Sequence, residues 1–183
     1  MVTHEEYIKL QNKYFDTKNE EEKRKILKQI QEYNIELIAQ YPFLMPKYET
    51  NFDFSYSWLD DVLDGWRIAF ADDMLKELKE ELIRLNYLND YEIAQIKEKY
   101  GELRWYDYGT PVDETTGINT IQEIIDKYTI LSRKICIDCG KPARWVSKGW
   151  ISPYCDECAH KYFSRNEDSE KDIYFYFKEV KDD

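Results

Sequence analysis

Four cysteines, which are all the cysteines of this 183-residue chain, fall within one short stretch. They form two Cys-x-x-Cys pairs, Cys136 with Cys139 and Cys155 with Cys158, and fifteen residues separate the pairs. Thiolates at this spacing can converge on one Zn²⁺ ion at tetrahedral corners. The pattern therefore predicts one zinc ion with these four ligands, in a zinc-ribbon module over residues 134–162.

A redox-active dithiol, a disulfide pair, and a metal site in which His160 replaces a cysteine are the alternatives. The paired spacing favours a metal, and the set of four thiolates is complete without the histidine. Four thiolates also fill a tetrahedral coordination sphere, which leaves no position for an activated water or a substrate. We therefore expect a structural zinc ion rather than a catalytic one.

The residues between the two cysteine pairs have the pattern of a β-hairpin. Segments 143–147 and 150–154 are rich in strand-forming residues, and Lys148-Gly149 between them suits a turn. A hairpin of this kind would bring the two Cys-x-x-Cys turns together.

A helical hairpin is predicted for residues 1–40. Thr3 and Glu6 have the spacing of a capping box, and Asn19 precedes three glutamates as an N-cap would. The second helix should end at Tyr41, before a proline. Its apolar stripe suits the seam of the hairpin or the core, with a docking surface for a partner as the alternative.

Residues 41–133 are predicted to form a helical body that begins with an ordered, aromatic-rich connector. Apolar residues at helical spacing predict a long helix from Trp66 to Leu85 and another over 118–132. A short helix is predicted from Tyr91 to Lys99, with Gly101 as its C-cap.

Strand patterns occupy residues 103–108 and 173–178. We expect these two segments to pair, so that residues 163–183 return to the body after a polar loop. The predicted fold class is α+β, with a mainly helical body, a small antiparallel sheet and the zinc ribbon.

Composition indicates a folded protein, because 34% of the residues are charged and yet 16% are aromatic. The cytoplasm is the expected compartment, since reduced thiols are available for zinc there. The sequence contains no run of 18 apolar residues and does not open with the pattern of a signal peptide. We therefore expect no membrane association.

Negative charge is concentrated in one span of the chain, whose net charge is −11. Residues 49–92 carry twelve acidic and four basic side chains. This suggests a contact surface for a basic partner protein, formed by Asp60, Asp61, Asp64, Asp72 and Asp73. A magnesium site for a nuclease is the less favoured alternative, since acids at a helix start usually face solvent.

Nucleic-acid binding through the ribbon is the second functional hypothesis. Arg144, Lys148 and Trp150 would contact phosphates and bases, and several further aromatic residues could stack. The alternative role for these aromatic residues is the small core of the ribbon. An acidic chain is repelled by phosphates, which disfavours the nucleic-acid hypothesis. The aromatic residues concerned are Trp105, Tyr106, Tyr108, Trp145 and Trp150.

No catalytic residues are predicted. The chain has two histidines, no cysteine outside the pairs, and no glycine-rich phosphate loop. We therefore expect a binding protein rather than an enzyme.

Three strings resemble a known group of proteins: 64–70, 95–106, and the ribbon with its Gly149-Trp-Ile-Ser-Pro-Tyr-Cys155 segment. The chain is similar there to small uncharacterised proteins encoded by bacteriophages and prophages. The resemblance covers roughly residues 41–160 and leaves out the N-terminal hairpin, which would be this protein's own recognition element. It implies a phage origin, the cytoplasm of a bacterial host, and a role such as inhibition of a host defence protein.

Overall fold

The computed structural model describes residues 2–47, 51–165 and 177–180. The described residues form five α-helices and five short strands, which confirms the α+β class. The helices are α1 (His4–Asp16), α2 (Glu20–Gln40), α3 (Asp64–Arg84), α4 (Thr120–Ser132) and α5 (Asp156–Arg165). The strands are β1 (Ile93–Lys99), β2 (Glu102–Asp107), β3 (Trp145–Ser147), β4 (Pro153–Tyr154) and β5 (Phe177–Glu179). Turns of 3₁₀-helix lie at Pro42–Leu44 and Trp58–Asp61.

The N-terminal helices form the predicted hairpin. The side chain of Thr3 accepts a hydrogen bond from the Glu6 N–H, and the Glu6 carboxylate accepts one from the Thr3 N–H, so the capping box is present. The Asn19 side chain accepts hydrogen bonds from the N–H groups of Glu21 and Glu22 at the start of α2. These caps satisfy the backbone donors that a helix start leaves without partners.

Helix α3 is the centre of the hydrophobic core. Leu75, Leu78 and Leu82 are fully buried on it, and α3 contacts both α1 and α4. The buried face agrees with the apolar stripe of the sequence, although the helix ends at Arg84, one residue before Leu85. No helix in the described part of the chain is both long enough and apolar enough to cross a membrane.

The short helix predicted for residues 91–99 is wrong, because this segment is strand β1, paired antiparallel with β2. A shift in the pairing register between Ile93 and Gln95 turns both Ile93 and Ile96 inward, at a spacing of three that resembles helical periodicity. Gly101 is not a helix cap. Tyr100 and Gly101, with φ of 58° and 76°, form the two-residue turn of a β-hairpin.

For the described residues of the C-terminal strand, the predicted pairing with residues 103–108 is also wrong. Strand β5 pairs antiparallel with β3, which gives the ribbon a three-stranded sheet in the order β4-β3-β5. The edge of β2 away from β1 is covered by α4, because the Leu103 N–H donates to the Ser132 hydroxyl and the Leu103 carbonyl accepts from Thr129. Residues 173–176 of the predicted strand, and most of the loop predicted before it, lie outside the described residues.

Candidate metal centre

The four cysteines lie together at the junction between the end of α4, the ribbon sheet and the start of α5. Cys136 and Cys139 belong to the turn that follows α4, whereas Cys155 and Cys158 lie at the N-terminus of α5. All four Sγ atoms are within 4.8 Å of one another, and none is in a disulfide. Cys136 and Cys155 are buried.

The sulfur positions fit a tetrahedral metal ion. The Sγ atoms of Cys139 and Cys155 are 3.6 Å apart. Four Zn–S bonds of about 2.3 Å give sulfur–sulfur edges of about 3.8 Å, whereas a disulfide needs about 2.0 Å. The cluster can therefore hold a metal ion such as zinc.

Backbone hydrogen bonds shape the first cysteine turn. The Cys136 N–H donates to the Lys141 carbonyl at 2.8 Å, and the Gly140 N–H donates to the Cys136 carbonyl at 3.1 Å. Gly140 has a φ of 75°, in the left-handed region that glycine adopts without strain. In the second turn the Cys158 N–H points at the Cys155 sulfur, 3.5 Å away.

The thiols differ in acidity. Burial raises the pKa of Cys139 to about 11, and burial together with the neighbouring sulfurs raises the pKa of Cys158. Burial acts in the same direction on Cys155, but the Cys158 N–H and hydrogen bonds from the neighbouring thiols outweigh it and lower that pKa. Without a cation, Cys139 and Cys158 therefore stay protonated at neutral pH, and a metal must displace their protons.

The first cysteine turn is packed directly on the N-terminus of α3. The Gly65 N–H donates to the Ile137 carbonyl at 2.8 Å, and a Cβ on Gly65 would lie 2.0 Å from the Cys136 carbonyl oxygen. The indole N–H of Trp66 donates to the Ile135 carbonyl at 3.2 Å. Only glycine fits at position 65, and the metal turn and α3 are held as one unit.

The aromatic residues considered for stacking divide between core and surface. Trp145 is buried in the small core of the ribbon, as the core hypothesis expects, whereas Trp105 is buried in the main core. Tyr106, Tyr108 and Trp150 are 44%, 76% and 76% exposed. The indole N–H of Trp150 points toward the Glu98 carboxylate, 3.3 Å away.

Of the three residues assigned to nucleic-acid binding in the ribbon, Lys148 and Trp150 are exposed and Arg144 is already engaged. The Arg144 guanidinium forms ion pairs with Asp156 at 3.3 Å and Glu179 at 3.4 Å. It also lies over the Trp145 ring, 5.0 Å from the ring centre.

Four of the five aspartates assigned to partner binding are exposed, namely Asp61, Asp64, Asp72 and Asp73. Asp60 is not available to a partner, because its side chain is 7% exposed and its carboxylate pairs with Arg67 at 2.7 Å. Partial burial raises the pKa of Asp61 and of Asp64. Among the described residues, the cysteines form the one group of candidate ligands that converges closely enough for a metal, so the aspartates give the nuclease alternative no support.

Sequence reasoning missed a buried cluster around Arg67, a residue of α3 that is 1% exposed. Its guanidinium donates to Asp60 at 2.7 Å, to the Tyr33 hydroxyl at 3.4 Å and to His4 Nδ1 at 3.3 Å. It also lies over the Tyr7 ring, 4.3 Å from the ring centre. This arginine cluster joins α1, α2 and α3 through one cation. The sequence signal that could have revealed this cluster is a charged residue on the buried face of a helix, with an acidic residue seven positions earlier.

His4 is a further titratable group of the arginine cluster. Its Nδ1 accepts hydrogen bonds from Arg67 and from the Tyr33 hydroxyl, the latter at 2.7 Å, so the ring proton lies on Nε2. Nε2 then donates to the Asp72 carboxylate at 3.1 Å. Burial and the Arg67 charge lower the pKa of His4, against the opposite effect of Asp72.

Comparisons with protein-family models, with curated proteins and with solved structures find no match to this chain. The site itself is a four-cysteine cluster able to hold a metal ion.

Proposed function

We propose that this chain is a non-enzymatic, zinc-stabilised binding protein that contacts a basic partner protein through exposed carboxylates just before α3 and along its N-terminal half. The observation that carries this proposal is the packing of Gly65 on the carbonyl of Cys136, next in sequence to the exposed Asp64. Because of this contact, a metal ion in the cysteine cluster would hold the acidic segment in a fixed position.

Zinc is the proposed metal because four thiolates are the ligand set that structural zinc sites prefer. Such a site is closed, which supports a structural role rather than catalysis. The one histidine of the arginine cluster, His4, has both ring nitrogens engaged and is not free to act as a general base.

The acidic surface consists of Asp61, Asp64, Asp72 and Asp73. Partial burial makes the charged forms of Asp61 and Asp64 less favourable, as their raised pKa values indicate. A lysine or arginine brought close by a partner would offset that cost, so a cationic protein surface is the complementary ligand. The resemblance to phage-encoded proteins suggests a bacterial host protein, such as a component of host defence, as that partner.

Charge reversal tests this proposal. Tagged protein is incubated with lysate of a bacterial host, with nuclease present, and the amount of co-purified protein is compared between two triple variants. The first variant reverses the charge of the proposed surface and carries Asp61→Lys, Asp64→Lys and Asp73→Lys. The control variant makes the same charge change at other exposed sites and carries Glu36→Lys, Glu114→Lys and Glu123→Lys.

We expect a partner that the wild type and the control retain, that the aspartate variant loses, and that high salt releases. Equal retention by both triple variants would contradict the proposal. A variant that no longer binds zinc is excluded from the comparison by metal analysis.

Nucleic-acid binding by the ribbon is the second candidate, and the exposure of Trp150 supports it. With Tyr100, Trp150 lines a cleft of ≈ 310 Å³ between the β1-β2 turn and the ribbon. The nucleic-acid hypothesis has weaker support than the proposed function, because two carboxylates already neutralise Arg144.

A further inference from the structure

The β1-β2 hairpin has two faces of different character. Its inner face carries Ile96, Leu103 and Trp105, which are buried in the main core. Its outer face, here called the hairpin face, is formed by the alternate residues of the two strands. These residues are Gln95, Lys97, Lys99, Glu102, Arg104 and Tyr106.

The hairpin face is positively charged in a chain whose net charge is −11. Its single carboxylate, Glu102, is held by Arg104 at 2.6 Å and by Arg133 of the neighbouring segment at 2.8 Å. Lys97 lies directly opposite Arg104 in the strand pairing. Like charges in this position repel one another, and a bound anion would relieve the repulsion.

Aromatic rings accompany these cations. Tyr106 is 44% exposed, with the Lys97 ammonium 5.3 Å from its ring centre. Tyr108, just beyond the end of β2, is 76% exposed. Tyr100, in the turn, is 66% exposed. Its φ of 58° is one that residues other than glycine adopt unfavourably. One exposed ring, Tyr106, therefore lies on the hairpin face beside the cations, and Tyr100 and Tyr108 lie beyond its two ends.

We infer that the hairpin face binds single-stranded nucleic acid. Lys97 and Lys99 contact the phosphates, and an unpaired base stacks on Tyr106. Positive charge selects a polyanion, and exposed rings select one whose bases are free to stack, which excludes a closed duplex. This inference goes beyond the proposed function and does not depend on the α3 carboxylates, which lie on a different element.

Fluorescence anisotropy with labelled oligo(dT) and oligo(U) of about 15 nucleotides tests the inference. The variant Lys97→Glu, Lys99→Glu is compared with Lys9→Glu, Lys18→Glu, which changes the net charge equally at exposed positions of the N-terminal hairpin. At low salt we expect the first variant to bind about tenfold more weakly than the second, or weaker still. The two oligonucleotides show whether DNA or RNA is preferred.

Substitutions of Tyr106 separate stacking from charge. We expect Tyr106→Ala to weaken binding about fivefold or more and Tyr106→Phe to leave it near the wild-type level, because the phenyl ring still stacks. Circular dichroism checks that each variant is folded.

Four outcomes would overturn the inference: no binding to either oligonucleotide at low salt, equal losses in both lysine variants, equal binding of a duplex, or equal binding of poly-glutamate. The last would identify a surface for acidic proteins instead.

Discussion

Gly65 and Cys136 are in contact through their backbones, and this contact joins the candidate metal turn to the central helix. A Cβ at position 65 would lie 2.0 Å from the Cys136 carbonyl oxygen and 2.7 Å from the Gly140 nitrogen. The neighbours of that position are backbone atoms, which cannot move aside as the end of a flexible side chain can. The fit of the ribbon on α3 therefore depends on the absence of a single side chain.

Gly65→Ala should destabilise the protein by about 3 kcal/mol, because the added methyl group forces the metal turn away from α3. The same change should weaken metal retention, since the turn carries Cys136 and Cys139. Urea unfolding and zinc analysis after dialysis measure the two effects. Gly149→Ala is the matched control, because a Cβ at that position meets nothing within 4 Å. Similar stability in both variants would show that the contact is not tight.

Metal binding should release protons. At neutral pH the raised pKa values of Cys139 and Cys158 keep these thiols protonated without metal, whereas zinc binds thiolates. Each proton released strengthens the apparent affinity by about tenfold per pH unit, so the affinity should keep increasing from neutral pH toward the raised pKa of Cys139, about 11. Titration of metal-free protein with zinc in a weakly buffered indicator dye measures the protons. In Cys139→Ser the number should fall and binding should weaken, and an unchanged titration would contradict the four-thiolate site.

Local sequence signals sufficed for the four-cysteine cluster and for the helical hairpin. The cysteine spacing and the caps at Thr3 and Asn19 act over a few residues, and their physical meaning does not depend on the rest of the chain. Strand β1 was missed for the opposite reason. The register shift near Ile93 gives its buried residues a helix-like spacing, and only the pairing with β2 distinguishes the two possibilities.

The arginine cluster was missed because it forms between distant parts of the chain. His4 and Arg67 are 63 positions apart, and Tyr33 joins them from another helix. Sequence alone placed Asp60 in an acidic surface patch. The partner that buries it, Arg67, becomes apparent once the 3₁₀ turn at Trp58–Asp61 and α3 are packed together.

Protonation of His4 should destabilise the fold. Burial and the nearby Arg67 charge lower its pKa in the folded protein below the ordinary value of about 6.5, so the unfolded chain binds the proton more readily. The resulting stability is fully present above about pH 6.5 and is lost as the pH falls toward the folded-state pKa. A proton on Nδ1 would also remove the acceptor for Arg67 and Tyr33.

Urea unfolding between pH 5 and 8 measures this dependence. In His4→Gln the decline below about pH 6.5 should become shallower, because the titrating group is gone. A wild-type curve with the same slope as the variant would show that His4 does not titrate differently in the folded and unfolded states.

Removing one partner of the ion pair between Arg67 and Asp60 should destabilise the protein more than removing both partners. Arg67→Met leaves the Asp60 carboxylate buried without its cation, with an expected loss of about 3–5 kcal/mol in the free energy of unfolding. Arg67→Met with Asp60→Asn removes both charges, and the asparagine can still accept the Ser57 N–H that Asp60 now binds at 2.7 Å. The double variant should therefore be more stable than Arg67→Met alone.

A double-mutant cycle from urea unfolding of the wild type, both single variants and the double variant measures the coupling between the two residues. Additive losses would mean that the pair contributes no interaction energy. A favourable coupling would establish that Arg67 holds the Asp60 turn on α3, the same helix whose N-terminus carries the metal turn.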